Sequence, residues 1–206
     1  GAAMKKAGAW KYVDATSAHF YPPATSGPAT RVAYIKTTKK YYKRWGAGSK
    51  PLWDTEMNYG DMRNYMKVKR SYGGNTARTY VARTYLDSMR YGVARVFWYG
   101  WDIHMLGTDM TNKNGTLAPG GEAFLVVRDW MSGRAWYGCK VKSLVTTCSV
   151  GSPTGKATIR YSSKKKTVTL PKGSWKVSKL DGSSSTVPGG SRVTLTAQPI
   201  RIAPAG

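Results

Sequence analysis

Glutamate is scarce in this chain: of 206 residues only Glu56 and Glu122 carry it. Glu56 sits in the stretch PLWDTEMNYG, Pro51 to Gly60. A short apolar run, Pro51 to Trp53, leads into Asp54, Thr55 and Glu56, and Asn58, Tyr59 and Gly60 then break the pattern. That is the signature of a buried strand that delivers a carboxylate to its C-terminal end and passes into a loop. In a parallel α/β barrel the C-terminal strand ends are where chemistry is done. A salt-bridged or solvated surface glutamate is the plainer alternative. The second reactive pair is Cys139 and Cys148, with eight residues between them. A hairpin of two short strands would bring them together, and the only histidines, His19 and His104, are too far off in sequence to complete a zinc site. We read the cysteines as a disulfide, hence an oxidising compartment; two free thiols are the alternative.

The elements that would position these groups follow from pattern. The start, Ala2 to Trp10, has the composition of a helix end. Tyr12 to Ala18 is a short strand, closed by His19 to Pro23, where two prolines force a loop. Ala29 to Trp45 carries Val32, Ile35, Tyr42 and Trp45 at helical spacing behind Pro28, and Gly46 and Gly48 stop it. The Glu56 strand comes next, then a polar stretch from Asn58 to Asn75 that reads as a loop or a loop with a short helix. A second helix begins at Asn75 or Thr76 and runs to Arg90, with Val81, Tyr85, Leu86 and Met89 as its apolar stripe. Val93 to Trp98 reads as a buried strand, and Glu122 to Met131 as a helix opened by Pro119, with Glu122 in the first turn where the dipole favours it. Strand and helix alternate, which predicts βα units on a parallel sheet. No glycine-rich phosphate loop follows any strand, so no nucleotide cofactor is expected, and no metal. After about Arg134 helical spacing gives way to short Val, Thr and Ile segments between turns: Val141 to Val150, Ala157 to Tyr161, Thr167 to Leu170, Trp175 to Leu180, Arg192 to Ala197 and Ile200 to Ile202. Ser183 to Ser185 reads as loop. This part predicts a small antiparallel β-sandwich.

Composition narrows the partners. Tyr and Trp number 14 and 8 against 3 Phe, and their flat faces with polar tips suit sugars or nucleobases. Lys and Arg total 33 against 10 acids, a formal charge of +23 that would attract any polyanion. An ordinary basic surface is the alternative. The run Lys164 to Lys166 fits a hairpin tip better than a binding motif. No zinc-finger spacing, RNA-binding signature or helix-turn-helix points to a specific nucleic-acid partner. No apolar run is long enough for a membrane span, and Gly1 to Trp10 lacks the apolar core of a signal peptide.

Three tracts in order, DATSAHFYPP, PLWDTEMNYG and GVARVFWYGWD, resemble the last three strands of the retaining clan A glycoside hydrolases. The following NGTLAPGGEAF and the β-rich tail resemble secreted bacterial members that carry a C-terminal β-sandwich. The resemblance implies the C-terminal part of a (β/α)8 barrel, strands six to eight, followed by the sandwich, with residues 1–134 the barrel part and 135–206 the sandwich. It implies that Glu56 is the catalytic nucleophile. It implies further that His19 and Tyr21 close the sixth strand beside Glu56, and that Trp98 closes the eighth as a sugar platform, with Trp101 and Tyr59 nearby in the substrate site. His19 as a loop cap and Trp98 as barrel core are the bland alternatives. A retaining enzyme attacks the anomeric carbon with one carboxylate and protonates the leaving oxygen with another about 5–5.5 Å away. The family's acid/base is a Glu after an Asn on the fourth strand, and this chain contains no Asn-Glu pair. Its barrel-like region is also about half of the roughly 250 residues a full barrel needs. The expectation is therefore a secreted O-glycosidase represented by its C-terminal part, inactive by itself, acting on an oligo- or polysaccharide. The charge adds an acidic polysaccharide as a second partner class. A non-catalytic carbohydrate- or polyanion-binding module is the competing function.

Overall fold

The computed structural model describes residues 1–61, 70–151 and 157–205. Residues 62–69, within the polar stretch expected as a loop between Asn58 and Asn75, lie outside them. The chain divides into two compact units, Gly1–Tyr72 with Thr84–Asp109, and Gly73–Arg83 with Met110–Gly206.

In the first unit, α1 (Ala2–Lys6) leads into a single 3-10 turn over Ala9–Tyr12. The expected helix end is thus two short pieces, divided at Gly8 in the left-handed region. Strand β1 (Thr16–His19), helix α2 (Pro28–Arg44), strand β2 (Leu52–Met57), helix α3 (Gly74–Arg90) and strand β3 (Val93–Trp98) follow. The three strands form a parallel sheet in the order β1-β2-β3, joined by helical crossovers as the alternation predicts. Among the described residues each outer strand is paired on one side only. Strand β1 starts later than expected, because Tyr12 is 79% exposed in the 3-10 turn, and it carries His19 as its last residue.

The core between sheet and helices gathers Phe20, Ile35, Leu52 and Val93, with Ala18, Tyr42 and Val96 against it. Helix α2 differs from its expected apolar stripe: its buried face is Pro28, Arg31 and Ile35. Helix α3 buries Val81 and Leu86 as expected, but Met89 is exposed and Thr84, Asp87 and Ser88 are buried instead. Arg31 meets two of these residues, Thr84 and Ser88. Arg31 on α2 reaches Asp54 on β2 through Nε at 3.2 Å and Nη2 at 2.5 Å, and donates to the Thr84 carbonyl and the Ser88 hydroxyl on α3. Its guanidinium, 1% exposed, ties both helices to the strand that carries Glu56.

The second unit begins with the first turns of α3 and contains α4 (Pro119–Met131). Strands β4 (Trp136–Lys142), β5 (Val145–Val150), β6 (Thr158–Ser162), β7 (Lys166–Thr169), β8 (Ser174–Ser178), β9 (Ser184–Pro188), β10 (Arg192–Leu195) and β11 (Ile200–Pro204) follow. A six-stranded sheet, β4-β5-β6-β11-β8-β9, and a two-stranded sheet, β10-β7, make the antiparallel sandwich. Leu170 beside β7 and Val193 on β10 pack with Val177 and Ile202 of the larger sheet. Three local expectations change. Val141 to Val150 is a hairpin, not one segment, and turns through Ser143 and Leu144, both left-handed as a type I′ turn requires. Ser184–Pro188 is a strand, a polar edge paired to β8 across the Asp181-Gly182 turn. Lys164 to Lys166 is not a hairpin tip, because β7 pairs with β10 and not with β6, so the run crosses from one sheet to the other.

Glu122 opens α4 and accepts from Arg78 at 2.5 Å, so it is held as an ion pair within the second unit. Among the described residues no helix is long and apolar enough to cross a membrane.

Candidate active site

Glu56 is the penultimate residue of β2. Its Oε2 accepts from the Tyr21 hydroxyl at 3.1 Å and stands 3.5 Å from His19 Nδ1. The rings of His19 and Tyr21 meet edge to face, 6.3 Å apart. The three residues come from two neighbouring strand ends: β1 pairs with β2 so that His19 lies opposite Glu56. The Glu56 side chain is 38% exposed and that of His19 is 50%, so the carboxylate can meet a solute.

Electrostatics fixes which partner donates. Burial pushes the Tyr21 phenol above its ordinary value, and its hydrogen bond to the Glu56 carboxylate, together with that charge, pushes it further. Tyr21 is therefore a neutral phenol throughout the physiological range and gives its proton to the Glu56 oxygen. A protonated His19 would add a positive charge on the same oxygen. This carboxylate is held by one donor, the Tyr21 hydroxyl, and is reachable from solvent, as a nucleophile needs.

The other expected residues distribute around this group. Trp98 ends β3 and is paired in register with Met57, next to Glu56. Its ring lies 6.2 Å from that of Tyr59. The buried Trp98 indole Nε1 has no acceptor among the described residues. Trp101, in the segment after β3, is 38% exposed. Tyr59 is not on the surface: it is 1% exposed, and its hydroxyl shares a hydrogen bond of 3.0 Å with Thr84. It backs Trp98 and does not present its own face. Cys139 and Cys148 lie directly opposite on β4 and β5 and are bonded, in the other unit.

Two supports were not singled out by sequence. Asp54 is fully buried and accepts from the Phe20 amide at 3.2 Å as well as from Arg31, which holds the chain just before Tyr21. Burial pushes its carboxyl up, against the pull of Arg31. Asn58, 3% exposed, donates to the carbonyls of Tyr99 at 2.7 Å and Thr108 at 3.1 Å and accepts from the Thr108 amide. It fastens the end of β2 to the segment that carries Tyr99 and Trp101. There the backbone of Gly107 comes so close to Gly60 that a Cβ on Gly107 would lie 2.5 Å from the Gly60 Cα. The polar character of Asn58 and its place beyond a strand end made it look like loop punctuation.

Searched by sequence, the chain matches no family profile and no curated protein. Searched by structure, it is similar to a family 39 glycoside hydrolase of Bacteroides cellulosilyticus, with a TM-score of 0.67 at 19% identity over 98% of this chain and 46% of that one. It is also similar to an α-L-arabinofuranosidase of Thermotoga maritima, with a TM-score of 0.59 at 13% identity over 92% of this chain and 52% of that one. A family 30 endoxylanase of Clostridium papyrosolvens gives 0.51 at 17% identity over 96% and 50%. The chain spans about half the length of each of these structures. Its fold, a parallel β/α sheet followed by an antiparallel β-sandwich, is the fold that family 39 and family 30 glycoside hydrolases share over that half.

Proposed function

We propose that this chain is the C-terminal part of a retaining glycoside hydrolase and that Glu56 is its nucleophile. The observation that carries the reading is the group of three side chains at two neighbouring strand ends: a half-exposed carboxylate, a phenol that donates to it at 3.1 Å and an imidazole at 3.5 Å. In the reaction Glu56 attacks the anomeric carbon and displaces the leaving oxygen, and water then hydrolyses the glycosyl ester. Tyr21 donates to the attacking carboxylate and orients it, and His19 stands against the same oxygen. Trp98 offers an apolar face to the sugar, with Trp101 beside it and Tyr59 behind the Trp98 ring. The second carboxylate, which protonates the leaving oxygen, has no counterpart in this sequence, so the chain alone does not turn over unactivated glycosides. Residues 1–134 are the barrel-derived part and 135–206 the sandwich in this reading. The Cys139–Cys148 bond supports a protein that works outside the cytoplasm. The substrate is an oligo- or polysaccharide.

The test is to express the chain with the segment encoded upstream of Gly1 and assay aryl glycosides. Glu56→Gln should abolish turnover. Glu56→Gly should regain it with azide, giving a glycosyl azide of inverted configuration. An upstream segment without an Asn-Glu strand end, or a Glu56→Gln enzyme that retains activity, would sink the assignment.

A further inference from the structure

The second unit holds a cleft of about 350 Å³ that the catalytic reading does not use. Lys140 and Lys142 on β4, Arg160 on β6 and Lys166 on β7 line it, over a floor that includes Thr147 and Val168. In register, Lys140, Thr147 and Arg160 form one cross-strand row, on the face of the large sheet that carries Ile200 and Ile202 and turns toward β7, and Lys142 and Val145 begin the next. Among the described residues no acidic one lines the cleft, and the sequence has none anywhere between Asp129 and Asp181. Arg160 is half-buried, points its Nε at the Thr158 hydroxyl at 3.0 Å, and has no carboxylate partner among the described ion pairs. Burial lowers its pKa, so an incoming anion would relieve a charge that the fold leaves uncompensated.

We propose that this cleft binds an anionic polysaccharide, one bearing carboxylate or sulfate groups. Spacing favours a polymer over a single small anion. Neighbouring strands are about 4.8 Å apart, so Lys140 and Arg160 stand roughly 9–10 Å apart at the backbone, and Lys142 lies roughly 7 Å further along its strand. Anionic groups repeated along a chain can meet these cations in turn, without drawing the like charges together on one phosphate or carboxylate. Between the cations stand the hydroxyls of Ser143, Thr147 and Thr167, which suit sugar hydroxyls. Among the described residues no aromatic ring lines the cleft. That absence disfavours single-stranded nucleic acid, whose binding sites stack bases on aromatic faces. The volume lies within the range of formed ligand clefts. The site belongs wholly to the second unit, and the inference stands whether or not Glu56 is a nucleophile.

The test titrates the full chain with polygalacturonate, heparin, unsubstituted xylan, and single- and double-stranded 20-mer DNA, in 50 and 200 mM salt. Lys140→Glu/Lys142→Glu is compared with Lys113→Glu/Lys172→Glu, which changes the net charge equally at exposed positions outside the cleft. Binding of polygalacturonate or heparin, but not xylan, should fall about tenfold or more in the cleft variant and less than about threefold in the control. Circular dichroism confirms that both variants fold, and Arg160→Gln gives the same comparison without charge reversal. Equal losses in the two double variants would reduce the effect to net charge and overturn the proposal. Failure of both acidic glycans to bind, or tighter cleft-dependent binding of DNA, would overturn it as well.

Discussion

Replacing Arg31 by Met removes the guanidinium that joins α2, β2 and α3 and leaves Asp54 buried with a single donor, the Phe20 amide. The pair is 1% and 0% exposed, so solvent cannot take over. Breaking a buried pair from one side costs about 3–5 kcal/mol, because the remaining charge keeps its desolvation penalty and loses its partner. Against a total stability of about 5–15 kcal/mol, that is a third or more in most cases. The penalty has a ceiling, since Asp54 can take up a proton. Burial already pushes its carboxyl up, and losing Arg31 removes the main opposing pull. With the folded pKa above the unfolded one, the stability of Arg31→Met is highest at acid pH and falls as pH rises, by up to about 1.4 kcal/mol per pH unit between the two values. Arg31→Met/Asp54→Asn should recover at least about 2 kcal/mol of the single variant's loss near neutrality, because the neutral amide still accepts from Phe20 and no charge remains buried. Urea unfolding followed by tryptophan fluorescence at pH 5 and pH 7.5 measures all four corners of the cycle. A single variant that loses less than about 1 kcal/mol, or a double variant no better than the single, would refute the claim that this pair holds the β2 strand in place.

Tyr21→Phe removes the 3.1 Å donor to Glu56; in the upstream-extended protein it should lower kcat about ten- to hundredfold with a smaller change in KM, read from aryl glycoside kinetics. Because the Tyr21 phenol is raised above its ordinary value of 10.0, its contribution to stability is whole below about pH 10 and is lost as pH rises further. Thermal unfolding between pH 9 and pH 11 should therefore fall more steeply in the parent than in Tyr21→Phe. Asn58→Ala leaves the Thr108 amide and two carbonyls without their partner and should cost about 2–3 kcal/mol, with proteolysis appearing first between Tyr99 and Thr108. Reducing the Cys139–Cys148 bond, which closes a loop over a sequence separation of 9, should lower stability by about 2–3 kcal/mol in denaturant titration.

What could be read from the sequence was what regular periodicity encodes. Val93 to Trp98 was a strand from its apolar run, α2 and α3 from their spacing and their stops, and the parallel order from alternation. The losses came where position overrides type. Arg31 and Asp54 look like surface charges in a helix and a strand, and only their mutual burial makes them core. Ser143 and Leu144 turn a hairpin without the Asn-Gly that usually marks a type I′ turn. Three of the five residues of strand β9 are Ser or Thr, because an edge strand has little apolar surface to cover. Tyr59 was expected in the substrate site, and its residue type carries no sign of the buried Thr84 hydroxyl that receives it.

The placement of Glu56 itself depends on a feature with no sequence signature. Side chains alternate along a strand, so Leu52, Asp54 and residue 56 should all point to one face. Leu52 and Asp54 do point to the helices, buried against Ile35 and Arg31. Glu56 does not follow them, and Met57, fully buried with its sulfur 3.3 Å from the Thr84 hydroxyl, takes the helix-facing place instead. Both neighbours record the same irregularity: β2 advances two residues, Asp54 to Glu56, while β1 advances one, Ala18 to His19, and three residues, Asp54 to Met57, while β3 advances two, Val96 to Trp98. One extra residue in β2 is a bulge, a device that re-aims a side chain. Without it a second carboxylate would be driven into the layer that Asp54 already occupies, where one guanidinium cannot neutralise both. With it, the buried acid is kept for structure, the next one is turned to solvent between Tyr21 and His19, and both arise from three consecutive residues, Asp54-Thr55-Glu56.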